Sequence, residues 1–238
     1  MKTMKTIILG LAGILLLGAG AYAQGEICAV VVYTKGSVEV LRAGEKTYKD
    51  IDANETLFIG DKIKTGRWGR ASVVIKSGAE VRVNKNSEFE VSPEGDLKEV
   101  IKLSFGQIWT KMLHKMGNVR IKTPTAVCAV RGTEADIEQR KLMTVKVYEG
   151  HVDVENANGK QSLFAGQMTT VAGPNSAPSA AAEMKKGDQG DWQQKINVKD
   201  IEKYLEKFKD SKDDQTLKVK INKAGQEKEV EIKMKKKD

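Results

Sequence analysis

The stretch Val119–Gly166, VRIKTPTAVCAVRGTEADIEQRKLMTVKVYEGHVDVENANGKQSLFAG, decides the fold class. Val145 and Val147 flank Lys146, and Val152 and Val154 flank Asp153. Such alternation puts one face of a strand in a core and the other in water. Two segments punctuate the pattern. In Thr123-Pro124-Thr125-Ala126 the proline forces the residue before it out of the helical region and withdraws a backbone donor, so a strand starts here at an edge or corner. In Val130-Arg131-Gly132-Thr133 the glycine marks a positive φ or a close backbone approach, and Arg131 beside it can fork onto carbonyls or a carboxylate. Thr123, Pro124, Arg131, Gly132 and Thr133 thus read first as a fold-locking corner and second as a ligand contact. Nothing in the stretch supplies an enzyme nucleophile, a metal cluster or a phosphate loop.

The same alternation runs outward from there. Val38 and Val40 flank Glu39, Val81 and Val83 flank Arg82, and Phe89 and Val91 flank Glu90; Ile101, Leu103 and Phe105 alternate with Lys102 and Ser104. Turn signals fall between them at Ala43-Gly44, Gly60-Asp61, Ser77-Gly78, Pro93–Asp96, Gly117-Asn118, Gly150 and Asn158-Gly159. Many short strands with frequent turns predict a mainly β body, an elongated sandwich or a short solenoid, rather than an α/β sheet. Residues 24–172 form this all-β domain. Residues 173–195, rich in Pro, Ser, Ala and Gly without periodicity, read as a linker. Beyond them Ile201, Tyr204, Leu205 and Phe208 recur at helical spacing, and Asn197 with Asp200 resembles a capping pair. A helix near Val198–Lys209 is therefore expected, followed by a lysine-rich hairpin around Ala224-Gly225; residues 196–238 form this appendage.

Three segments resemble the FecR domain family. They are Gly60-Asp61-Lys62-Ile63-Lys64-Thr65-Gly66 with Gly69-Arg70-Ala71 and Ser77-Gly78; Phe105-Gly106-Gln107-Ile108-Trp109; and the Thr-Pro-Thr-Ala and Val-Arg-Gly-Thr segments with Glu149-Gly150-His151-Val152 and Ala165-Gly166-Gln167. The resemblance spans about residues 32–172 and implies a mainly β fold. Family members that act as transmembrane anti-sigma regulators carry a cytoplasmic domain and a membrane helix ahead of this module. Here a secretory signal precedes it instead, so control of a sigma factor is not carried over.

That signal is residues 1–23. Lys2 and Lys5 precede an apolar run from Ile7 to Leu17, and Ala21-Tyr22-Ala23 offers a small-x-small site with cleavage before Gln24. The run is shorter than the roughly 20 residues that span a bilayer, which disfavours the alternative of a retained anchor. A periplasmic or secreted protein is expected, and a lipoprotein is not, because no lipobox precedes Cys28. The formal charge of the whole chain is +8. Between Lys195 and Asp238 there are 14 Lys against 10 Asp and Glu, which suits an anionic polysaccharide or a membrane surface. Nucleic acid is excluded as a partner by export and by the absence of aromatics interleaved with the lysines. Lysine on an edge strand also discourages edge pairing, so the cluster has an explanation that needs no ligand.

Cys28 and Cys128 are either one disulfide or two separate buried thiols. A bridge would close a loop of about 100 residues, for which chain entropy assigns about 4.7 kcal/mol. With His114 and His151 they lack the ligand spacing of a zinc site, and no metal or cofactor is expected. Trp109 is read as a core aromatic first and an exposed platform second; Trp68, between Arg67 and Gly69 in a turn, is the better exposed contact. His114 and His151 are isolated, and no serine or cysteine sits in a nucleophile setting. The sequence therefore points to a non-enzymatic envelope module that binds another protein, with a cell-wall or polysaccharide binder as the alternative.

Overall fold

The computed structural model describes residues 26–94, 97–113, 118–198, 200–201, 203–205, 208, 215–223 and 226–234. The expected signal segment 1–23, Gln24, His114 and the expected turn at Ala224-Gly225 lie outside the described residues. The strands are β1 (Ile27–Lys35), β2 (Val38–Leu41), β3 (Lys49–Asp50), β4 (Thr56–Phe58), β5 (Lys62–Thr65), β6 (Arg70–Ile75), β7 (Ala79–Val83) and β8 (Ser87–Glu94). There follow β9 (Leu97–Met112), β10 (Asn118–Lys122), β11 (Val127–Gln139), β12 (Met143–Asn156), β13 (Gly159–Phe164), β14 (Gln167–Val171) and β15 (Ala182–Glu183). These fifteen form one continuous sheet; β16 (Gln215–Lys223) and β17 (Gln226–Met234) pair separately as an antiparallel hairpin. The protein is mostly β, as its alternation predicts.

Three long strands fold this sheet into two layers, because each changes partners halfway along. In β9, Val100–Phe105 pairs with β8 and Gly106–Met112 with β7 and β11. In β11, Val127–Arg131 pairs with β10 and Glu134–Gln139 with β9. In β12, Met143–Lys146 pairs with β14 and His151–Asn156 with β13. The first layer therefore runs β3-β2-β5-β8-β9-β10-β11-β12-β13 and the second β4-β1-β6-β7-β9-β11-β12-β14-β15. Val40, Ile63, Phe89 and Leu103 of the first meet Val31, Val73, Val81, Ile108, Ile137 and Val145 of the second in one core.

The bends explain the two punctuating motifs. Strands β11 and β12 turn at Gly132 (φ 59°) and Gly150 (φ 79°), where the register between Arg131↔His151 and Glu134↔Glu149 shifts. The two backbones cross so closely that a Cβ on Gly150 would lie 2.7 Å from the Gly132 carbonyl oxygen. Buried Thr133 fastens the crossing: its hydroxyl donates to the carbonyls of Arg131 and His151 (2.5 and 2.9 Å) and accepts from the His151 N–H (3.2 Å). The Arg131 carbonyl is part of the lock, while its side chain is exposed. At the other motif, Thr123 Oγ1 accepts from the N–H groups of Thr125 and Ala126 at 3.1 Å and donates to the Ala126 carbonyl. That turn sets β10 beside β11.

Residues 173–195 are not a loose linker. Asn158 and Asn156 donate to the carbonyls of Pro174 and Ser176, the Thr169 hydroxyl donates to the Ser179 carbonyl, and β15 pairs with β14. The composition misleads because this fastening comes from side chains and a strand edge elsewhere in the chain. The segment then crosses the outer face of the second layer. Trp192 opens a short 3-10 turn, Trp192–Lys195, and packs with Ile196 against Trp109, Tyr33 and Tyr148. Val198, Ile201, Tyr204, Leu205 and Phe208 cover Val30, Val32 and Val74. The expected helix is described at Lys203–Leu205 and Phe208. In the hairpin, Lys218 lies opposite Glu231 and Lys220 opposite Glu229 in the register.

Cys28 and Cys128 lie in β1 and β11, both in the core and not bonded to one another. The Cys28 thiol donates to the Leu57 carbonyl at 3.5 Å. Burial pushes the Cys128 thiol up to about 12, so it behaves as a small hydrophobe. The crossing at Gly132 is directly testable. A β-branched side chain resists positive φ, so Gly132→Val should lower stability by about 1–3 kcal/mol, whereas Arg131→Ala should change it by less than about 0.5 kcal/mol. Urea unfolding of the three proteins measures this; equal effects would mean that the corner imposes no conformational demand.

Candidate functional site

One end of the sandwich gathers the turns β5–β6, β7–β8 and β11–β12 beside the bend of β9. Trp68 sits in the first of these, 73% exposed. Its turn is held rigidly: Gly66 N–H donates to the Ser37 carbonyl (3.0 Å), Gly69 N–H to the Gly66 carbonyl (3.0 Å), and Asn86 N–H to the same Gly66 oxygen (3.1 Å). An exposed indole on a clamped turn loses little conformational freedom on binding, and this makes it a competent contact residue.

Phe105, expected in the core by its parity with Ile101 and Leu103, is instead 49% exposed. The positive φ of Gly106 (108°) turns β9 toward the second layer at that point, and the alternation resets across the bend. Phe105 lines a cavity of about 300 Å³ together with Lys64, Thr65, Gly66, Asn86, Ser87 and Glu88. Leu142 is also exposed in the β11–β12 turn. Cations stand on the rings: Arg67 lies 5.3 Å from the Trp68 centroid, Arg140 5.1 Å from that of Phe105, and Lys64 5.2 Å from that of Tyr48. The Tyr48 hydroxyl donates to Glu88 Oε2 at 3.0 Å; burial, then the Glu88 carboxylate, pushes the phenol up to about 12. An aromatic, cation-rich end with a shallow cavity suits recognition of a surface.

Trp109 belongs elsewhere. It is 3% exposed, on the outer face of the second layer beneath Trp192, and its indole donates to Glu134 Oε1 at 3.1 Å. Arg82 lies 4.5 Å from its centroid. Trp109 is thus a packed aromatic and not an exposed platform, and the structure does not bring it together with Trp68. Thr123, Pro124, Gly132 and Thr133 are placed at turns and bends of the scaffold.

Asp136 is the site residue that sequence reasoning missed. It lies on β11, on the same covered face, where alternation predicts a solvated carboxylate. Gln107 Nε2 donates to its Oδ1 at 2.8 Å and Trp192 Nε1 to its Oδ2 at 2.9 Å. Burial pushes its carboxyl up to about 6, opposed by the Gln107 and Trp192 hydrogen bonds and by Lys146. Trp192, alone among polar residues in a segment of no periodicity, was the available signal. Among the described residues no group of three or more His, Cys, Asp or Glu could hold a metal ion, and no helix is long and apolar enough to cross a membrane.

Residues 61–153 match the family model described as FecR protein. No curated protein matches the chain. Among solved structures, two crystal structures of a candidate anti-sigma factor from Parabacteroides distasonis ATCC 8503, at 1.65 and 2.50 Å resolution, align with TM-scores of 0.45 and 0.46. Both alignments are 17% identical and cover 52% of this chain and 60% of the other. The chain thus spans less than two thirds of the length of these neighbours.

The covered carboxylate has a pH signature. Its folded pKa, about 6, lies above the ordinary value of about 3.9. Folding therefore takes up a proton between those values. The contribution is fully present below about pH 4 and is lost as pH rises through about 6. The groups facing Asp136 are Gln107, Trp192, Lys146, Glu138 and Tyr148. Asp136→Asn, which keeps an acceptor for the Trp192 indole, should remove this dependence. Relative to the variant, the unmodified protein should lose on the order of 2–3 kcal/mol between pH 4 and pH 7. Denaturant midpoints of both proteins across that range give the comparison, and parallel curves would show that Asp136 titrates as an ordinary carboxyl.

Proposed function

We propose, from the match of residues 61–153 to the FecR family model, that the chain is an exported, non-enzymatic interaction module of the cell envelope that docks another envelope protein through the Trp68 end of its sandwich. The observation that carries this reading is the clamped, exposed Trp68 turn with Phe105 and Leu142 exposed beside it. Interfaces are enriched in aromatic residues and arginine, and this end supplies both. The Gly66, Gly69 and Asn86 amides at this end are committed to holding the turn. Export to the periplasm or outside the cell rests on the Lys2–Ala23 segment.

A cell-wall polysaccharide is the second reading, favoured by the exposure of Trp68. Weighing against it, the Arg67 guanidinium already occupies one face of the indole, which leaves one face for a sugar ring. An anionic polymer or membrane surface held by the lysine-rich residues 196–238 would respond differently from either, because exposed charges are screened over roughly 8–10 Å at 0.1–0.15 M salt.

A photo-crosslinking residue at Arg67, in intact cells, should trap a defined envelope protein. Purified with that protein, Trp68→Ala combined with Phe105→Ala should weaken binding at least about tenfold, as expected when interface anchors are truncated, with the melting temperature unchanged. The complex should persist at high salt. Retention by isolated cell-wall polysaccharide that Trp68→Ala abolishes, with no protein crosslinked at Arg67, would replace the first reading by the second.

A further inference from the structure

The outer face of the second layer is built like an interface, although the chain covers it itself. Facing the covering segment 188–198 are Arg82, Trp109, Asp136, Lys146 and Tyr148. Aromatic and arginine side chains with a few oriented polar groups are the composition of a protein-binding surface; the core between the layers, by contrast, is almost wholly aliphatic. Each polar group grips the strap at one point. Arg82 donates to the Gln193 carbonyl at 2.7 Å, Lys146 to the Asp188 carbonyl at 2.7 Å, and Asp136 receives the Trp192 indole. With the Gly190 N–H, which donates to the Tyr148 hydroxyl at 3.4 Å, three of these four contacts go to main-chain groups, which any segment in the same path provides.

The strap is also placed to detach. Upstream it is bolted down as far as Met184, whose N–H donates to the Gly166 carbonyl at 2.7 Å. Between that bolt and Trp192 runs Lys185-Lys186-Gly187-Asp188-Gln189-Gly190, with two glycines; the space around Gly187 is open to 4 Å. Within the strap, Gln193 Nε2 donates to the Gly190 carbonyl at 2.8 Å, so this polar side chain is held by its own segment and not by the face beneath.

We propose that this face is a masked protein-docking surface. It accepts, in place of the strap, a partner segment that presents an indole to Asp136 and Trp109 and a branched aliphatic residue four positions later, as Trp192 and Ile196 do. Bowing outward between a hinge at residues 185–187 and the downstream contacts of Val198, Ile201 and Phe208 exposes the face, while β15 and those contacts keep the strap tethered at both ends. As a tethered competitor, the strap lowers the apparent affinity of any such partner by the fraction of time that it is closed. This face is distinct from the Trp68 end, and its test is independent of that reading.

The probe is a fluorescent peptide of residues 188–198, titrated into the full chain and into its Trp192→Ala variant. The variant should bind the peptide at least tenfold more tightly than the unmodified chain. A peptide with alanine in place of its tryptophan should not bind, and adding Arg82→Ala to the variant should weaken capture at least fivefold. Equal affinity for both chains, or retention of the tryptophan-free peptide, overturns the proposal. Should Trp192→Ala fail to fold, hydrogen exchange on the unmodified chain decides it. The amides of Gln194 and Ile196 should exchange at least tenfold faster than those of Trp109 and Ile137 beneath them. Exchange of all four together would mean that the strap opens only with the whole fold, and that no masked surface exists.

Discussion

The shared bend of the paired strands β11 and β12 at Gly132 and Gly150 is the constraint on which the architecture rests. A single sheet of fifteen strands would otherwise leave one large flat face in water. Bending at paired glycines lets the same strands serve both layers, so that the aliphatic face of each half meets the other across one core. Close approach of the two backbones excludes a side chain at Gly150, positive φ disfavours one at Gly132, and Thr133 supplies the hydrogen bonds that the shifted ladder cannot. Since β9 bends as well, at Gly106, three central strands tie the layers together covalently. The layers cannot slide apart without breaking pairings in both, which gives the turns at the sandwich end a fixed geometry on which to hold Trp68 and Phe105.

Much of this was legible in the sequence, for a reason that also marks its limits. Alternation at Val81-Arg82-Val83 or Val145-Lys146-Val147 reports that one face is buried, and the Thr-Pro-Thr and Arg-Gly-Thr segments report where the backbone must turn. Both are local signals. Phe105 was misplaced because its parity with Leu103 holds only as far as Gly106, after which the strand belongs to the other layer. Trp109 follows the bend and faces outward, yet it is buried, because a cover arrives from more than eighty residues away in sequence. That cover was hidden by its own composition: Pro, Ser, Gly and Ala without period look like a tether when the partners that hold them are Asn156, Asn158, Thr169, Arg82 and Lys146.

A trace of the cover was nonetheless present. Strands β1 and β6 do not alternate. Val30-Val31-Val32 and Val73-Val74-Ile75 are continuous apolar runs, the pattern of strands buried on both faces. Val31 and Val73 belong to the core between the layers, and Val30, Val32 and Val74 to the outer cluster closed by Phe208 and its neighbours. An all-β domain with two such runs requires a covering element, and the helical spacing of Ile201, Tyr204, Leu205 and Phe208 provides its apolar stripe.

The second layer is therefore covered in two different ways, and the difference separates stability from recognition. Over β1 and β6 the contact is aliphatic and aromatic on both sides, and removing it would expose Val30, Val32 and Val74 together. Over β7, β9, β11 and β12 the surface beneath is charged and aromatic, and it would be hydrated readily if uncovered. Burying Asp136 there raises its pKa, which is a cost to the closed state at neutral pH, while Arg82 keeps its ion pair with Glu80 at 2.6 Å beside its contact with the strap. The strap's grip at its Trp192 end thus rests on a few directed polar contacts, and at its Phe208 end on apolar burial. On the proposed masking it is the polar end of the cover that opens, without disturbing the core that positions everything else.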